Sequence, residues 1–182
     1  MLKTLRTQIV SSMREIIFGL EDSLVSTLGT ITGIAVGTDS RFVVILSGLV
    51  LIAVEATSMT AGSYLSTKSY EAAERASDKD GHRPRRQGEI SPRRAASVMG
   101  VFYLVGGFVP LIPYLFLPIH SAFLPSIVMT VIALFALGVW SAKFTKRDRL
   151  RSGLEMLFIS MAAASIGYFI GTFVRDTFSV SL

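Results

Sequence analysis

A chain of 182 residues with 51% hydrophobic composition and a mean hydropathy of +0.55 is one domain long but too apolar for an ordinary water-soluble domain. Having no cysteine, it holds no disulfide and no thiolate metal site, so any metal must be bound by oxygen, imidazole or thioether, and the redox compartment stays open. The net charge of +5 would suit a nucleic-acid ligand, but the basic residues lie between apolar stretches without interleaved aromatics, which excludes that partner and points to membrane orientation.

A helix needs about 20 apolar residues to cross the hydrocarbon core, because every backbone N–H and C=O must be satisfied internally there. Five segments meet that length: residues 16–36, 42–64, 95–117, 122–142 and 154–174. They predict an all-α integral membrane protein with five transmembrane helices in a single domain over residues 1–182. The first span is interrupted by Glu21 and Asp22 and lacks an Ala-x-Ala cleavage site, so it reads as retained rather than as a signal peptide. Within it, Glu15 and Asp22 are two helical turns apart and share a face, while Glu21 points about 100° away. Ser26, Gly29 and Gly33 fall on the Asp22 face. Gly29, Gly33 and Gly37 form a doubled Gly-x-x-x-Gly pattern that lets another helix come close, so the sequence offers this stripe as a dimer or pore-lining face.

The link at 37–41 makes the first two spans a tight hairpin. In the second span Glu55 and Met59 lie one turn apart, followed by Gly62; a hard carboxylate beside a soft thioether suits a first-row transition ion better than magnesium. Two bland readings stand beside this one: Met59 as packing, and Glu55 or Glu21 paired with an arginine. A carboxylate at bilayer depth costs roughly 2.5 to 3.5 kcal/mol, so such residues tend to mark ion or proton paths, and Asp22 on the glycine face has no basic neighbour within its span. The long connection, residues 65–94, reads as a basic cytosolic loop. Its Glu71, Glu74, Asp78, Asp80, His82 and Glu89 read as a solvated helix extension and tether rather than a metal site, since neither thiolates nor paired histidines accompany them. Spans three and four carry no charge. Pro110 and Pro113 interrupt the ladder of span three, either as a hinge or as a static kink.

Of the 18 Lys and Arg residues, all but Arg41 and Arg175 fall before span one, in the 65–94 loop, or between spans four and five. Positive loops resist translocation, which places the N-terminus in the cytosol and the C-terminus outside. The arginines from Arg83 to Arg94 read as an orientation signal at an anionic lipid surface rather than as a partner-binding patch.

Four segments together resemble the vacuolar iron transporter family. Arg14-Glu15-Ile16-Ile17-Phe18-Gly19-Leu20-Glu21-Asp22-Ser23-Leu24-Val25-Ser26 is similar to the family's first-span signature. Ser58-Met59-Thr60-Ala61-Gly62-Ser63-Tyr64-Leu65-Ser66 is similar to its second, Gly106-Gly107-Phe108-Val109-Pro110-Leu111-Ile112-Pro113-Tyr114 to its third, and Gly167-Tyr168-Phe169-Ile170-Gly171 to its fifth. The resemblance implies a homodimeric divalent-metal/proton antiporter whose first spans line the path, with Glu15, Asp22 and Met59 as metal-path positions. There are three departures in the spans: Leu51 stands where the family usually has a glutamate, with Glu55 one turn later as a possible substitute; Ser63 replaces the glutamate after Gly62; Ser23 replaces the glycine after Asp22. The loop is also too short for the glutamate-rich cytosolic metal-binding domain of eukaryotic members, which marks a short, prokaryotic-type member.

The expectation is therefore a multi-pass protein of a prokaryotic plasma membrane that exports Fe²⁺ or Mn²⁺ from the cytosol in exchange for protons, with Asp22, Met59, Glu15 and Glu55 as metal-path residues. Metal and proton compete for one carboxylate, because the ion binds only by displacing the proton. No cofactor is expected. The alternative is a non-transporting scaffold that dimerises through the glycine face. An enzyme finds no support: His-Glu-x-x-His, Gly-x-Ser-x-Gly and paired membrane aspartates are all absent from the sequence.

Overall fold

The computed structural model describes residues 9–77 and 90–178. After a single helical turn at 9–11, five long helices follow: α1 (Met13–Thr38), α2 (Arg41–Ser77), α3 (Pro92–Phe116), α4 (Ile119–Thr145) and α5 (Arg149–Phe178). Among the described residues there is no strand.

The helix ends are set by local chemistry. α1 stops at Asp39, whose left-handed backbone (φ 48°) lets its N–H return to the Ala35 carbonyl at 3.1 Å, a conformation that Asp tolerates better than most residues. α3 opens with Ser91, which accepts the Arg94 N–H, followed by Pro92 at a position where no amide hydrogen is needed. α5 opens beside Asp148, whose carboxylate accepts the Arg151 N–H at 2.8 Å.

Four helices, α2 to α5, are long and apolar enough to cross a membrane. α1 is long enough too, since 26 residues span about 39 Å, but no stretch of it is as continuously apolar as those of the other four. Its place explains why. α1 packs against each of the other four helices, and Ser23, Thr27 and Thr32 are fully buried along it, so its polar groups face protein rather than lipid. The core beneath them joins Ile31, Ala35, Val44, Ile52, Leu111 and Tyr114.

Two expectations are revisited here. The second span was read to about residue 64, with the acidic residues beyond it on a helix extension, and α2 does continue to Ser77. The apolar signal ends at the membrane surface, but no Gly or Pro follows until Gly81, and Tyr70–Glu74 (3.4 Å) and Glu71–Arg75 (3.9 Å) bridge successive turns. The basic and acidic residues at 78–89, His82 and Arg83 to Arg86 included, lie outside the described residues. The second concerns Gly29, Gly33 and Gly37, which the sequence offered to a second copy or a pore. They meet Ala163, Gly167 and Gly171 of α5 in the same chain. A Cβ on Gly33 would stand 2.8 Å from the Gly167 carbonyl oxygen, so this seam closes backbone to backbone.

α3 is fixed from both sides. Gly106 sits against Leu20 and Ser23 of α1, and Gly107 against Ile52 of α2 and Thr27 of α1. Ser126 of α4 donates to the Pro110 carbonyl at 2.7 Å, while Arg41 donates to the carbonyls of Tyr114 (2.7 Å) and Leu115 (2.5 Å). These bonds hold the proline-containing end of α3 and favour the static-kink reading of Pro110 and Pro113.

Candidate functional site

α1 and α2 run antiparallel across a two-residue connection, which sets Asp22 level with Glu55 and Phe18 level with Met59. Asp22 and Glu55 lie close enough for their charges to act on one another, and Tyr103 of α3 lies within the field of both. The Tyr103 ring is fully buried, and its hydroxyl hydrogen-bonds the Ser26 hydroxyl one turn beyond Asp22, at 3.0 Å. Both carboxylates are half-buried, and among the described residues neither has a hydrogen bond or salt bridge. Like charges so placed repel one another.

The other two predicted residues, Glu15 on α1 and Met59 on α2, lie toward the N-terminal end of α1. Met59 opens on a cleft of about 450 Å³ lined by Arg14, Phe18, Gly62, Ser63, Ser66 and Met99. Glu15 is 1% exposed; its Oε1 accepts Arg14 at 3.1 Å, and its Oε2 has no partner. It lines a second cleft, of about 490 Å³, that shares Arg14 and Ser66 with the first. The four predicted residues are thus set in two tiers where α1 meets α2, Glu15 and Met59 on the two clefts and Asp22 and Glu55 beside Tyr103. The seven residues from Glu15 to Asp22 separate the tiers by about 10 Å.

Of the pore-lining residues expected from sequence, Ser26 is at the upper tier through its bond to Tyr103, whereas Gly29, Gly33 and Gly37 are on the α5 seam. Ser63, a departure from the family motif, is buried with an unpartnered hydroxyl beside Met59. Sequence reasoning missed Tyr103 and Met99, both on the uncharged third span. A signal was available for Tyr103, since a phenol in an otherwise apolar membrane helix must find a polar partner. Among the described residues no three His, Asp or Glu side chains converge as a metal-binding group. One chain therefore supplies two carboxylates at the upper tier, less than the full shell of a divalent ion.

The model of the VIT family matches residues 13–83 and 75–172. The chain belongs to the VIT family. Among the relatives, vacuolar iron transporter 1 of Arabidopsis thaliana is 26% identical over 216 residues, covering 90% of this chain and 86% of that protein. Vacuolar iron transporter homolog 2 of the same plant is 27% identical over 158 residues (86% and 81%), and an uncharacterized protein of Methanocaldococcus jannaschii is 27% identical over 172 residues (88% of each). The VIT match falls into two pieces that join at 75–83, where α2 ends. The 216-residue alignment exceeds the length of this chain, so the plant transporter carries residues without a counterpart here, as expected of a short VIT member.

Proposed function

We propose that this VIT-family protein is a five-span, multi-pass transporter of a prokaryotic plasma membrane that moves Fe²⁺ or Mn²⁺ out of the cytosol in exchange for protons, acting as a homodimer with its N-terminus inside. The observation that carries the proposal is the Asp22–Glu55 pair: two carboxylates on facing helices, half-buried and without a fixed counter-charge. An ion entering between them displaces protons, and protons arriving from the far side displace the ion. The same carboxylates thereby serve both cargoes. Met59 and Met99 line the way in with thioether sulfur, which favours transition ions over Mg²⁺ and Ca²⁺.

A second copy supports this scheme by completing the coordination shell. Gly62 offers room for it, because a Cβ there would meet nothing within 4 Å in one protomer. The plant relatives are named vacuolar iron transporters, which supports the choice of cargo. The scaffold alternative loses its structural basis where the glycine stripe is covered by α5.

The test is Fe²⁺ or Mn²⁺ flux in proteoliposomes under an imposed pH gradient. Acidifying the trans side accelerates export and acidifying the cytosolic side slows it, because protons and metal compete at the same oxygens. Flux unaffected by the gradient, or retained in Asp22→Asn, contradicts the proposal.

A further inference from the structure

Below the upper tier, the cytosolic extension of α2 brings a second carboxylate onto the groove. We propose that Glu15 of α1 and Glu71 of α2, with Thr67 between them, form an entry site that captures a hydrated divalent cation at the cytosolic mouth before it reaches Asp22 and Glu55. The proposal deepens the transport reading above and rests on it. From sequence, Glu71 was expected on a solvated helix surface. Instead its side chain is 24% exposed and lines the same 490 Å³ cleft as Glu15, Ser66, Thr67 and Tyr70.

The cleft offers acceptors in search of a cation. Glu15 Oε2 and Thr67 Oγ1 are buried without any partner. A carboxylate oxygen stripped of water and given no donor is unfavourable unless a cation or an ordered water reaches it. Arg14 occupies only Oε1 and does so from solvent, its own side chain being 74% exposed, so it can withdraw as a cation enters. Thr67 and Glu71 are one turn apart on one face of α2, and both line the cleft that Glu15 lines.

The donor set specifies the ligand class. Glu15 Oε2, Thr67 Oγ1 and the Glu71 carboxylate, which also meets the exposed Arg75 at 3.9 Å, are all oxygen donors and no thioether lines this cleft, so the site takes hydrated hard or borderline divalent ions such as Mn²⁺ and Fe²⁺ with little discrimination. Selection falls to Met59 and Met99, one step further in. In a chain whose loop is too short for a separate cytosolic metal-binding domain, the extended α2 takes over capture.

The test is Mn²⁺ titration by electron paramagnetic resonance on the purified full-length protein. Asp22→Asn is expected to retain one Mn²⁺ site per chain, and adding Glu71→Gln is expected to weaken it at least tenfold. Thr67→Val in the same background gives a smaller loss. In proteoliposomes, Glu71→Gln alone raises the KM for Mn²⁺ about five- to tenfold with the maximal rate unchanged, and Glu71→Asp restores most of it. A melting temperature equal to wild type shows that the variants fold. Mn²⁺ binding to Asp22→Asn that is indifferent to Glu71→Gln overturns the entry site. Wild-type protein that binds Mn²⁺ at this site yet moves no ion defeats the transport reading and leaves the entry site standing.

Discussion

Two clefts of similar volume flank α1, and their chemistry is opposite. The one shared with α2 holds Glu15, Glu71, Arg14 and four hydroxyl side chains. The other, about 510 Å³ between α1, α3 and α4, is lined by Ile16, Leu20, Leu24, Phe102, Leu137 and Trp140 among others. Both lie along the same helix, so depth and size do not distinguish them. What differs is unsatisfied polarity: the first contains buried oxygen atoms without partners, the second contains none to satisfy. A cavity in a membrane protein becomes an ion path through such acceptors, whereas an apolar cleft of equal size is a gap that methyl groups or lipid chains can fill.

The contrast can be broken most severely at the third face of α1, the seam that holds the helix in place. Gly33→Leu drives a side chain into the Gly167 backbone and should cost about 3 kcal/mol, read as a lower melting temperature in detergent together with loss of flux. Next comes Asp22→Asn, which keeps the side chain's shape beside Glu55 and removes its charge. Metal flux should fall about a hundredfold, equivalent to roughly 2.7 kcal/mol, while thermal stability stays level or rises because a buried charge has gone. Tyr103→Phe removes the bond to Ser26 and should cost about 1 kcal/mol of stability with a several-fold loss of flux. Smallest is Ala136→Leu in the apolar cleft: a shift within about 0.5 kcal/mol and flux equal to wild type, measured in the same two assays.

Much of this arrangement was legible in the sequence, for identifiable reasons. The helices were legible because the bilayer forces any crossing segment into about 20 apolar residues. Their ends were less so: at Tyr64 hydropathy ends but the helix does not, since hydropathy reports the lipid boundary and only Gly, Pro or a cap reports the end of a helix. The pairing of Glu15 with Asp22 on one face followed from the 3.6-residue period. What stands opposite that face did not, because a period fixes direction and says nothing of the neighbour. For that reason Gly29, Gly33 and Gly37 were correctly read as a close-approach stripe but assigned to another copy, when α5 of the same chain covers them. Tyr103 and Met99 escaped notice because they sit in a span without charge, and Glu71, placed on a helix extension, was read as solvated because sequence does not show that α1 lies beside that extension.

The central claim is that the Asp22–Glu55 pair holds protons and metal in competition. It is tested most directly by adding Mn²⁺ to the purified, weakly buffered protein and measuring proton release. The account predicts that protons leave as the metal binds, with release abolished in Asp22→Asn and reduced in Glu55→Gln. Mn²⁺ binding without proton release, or release unchanged in Asp22→Asn, would contradict it.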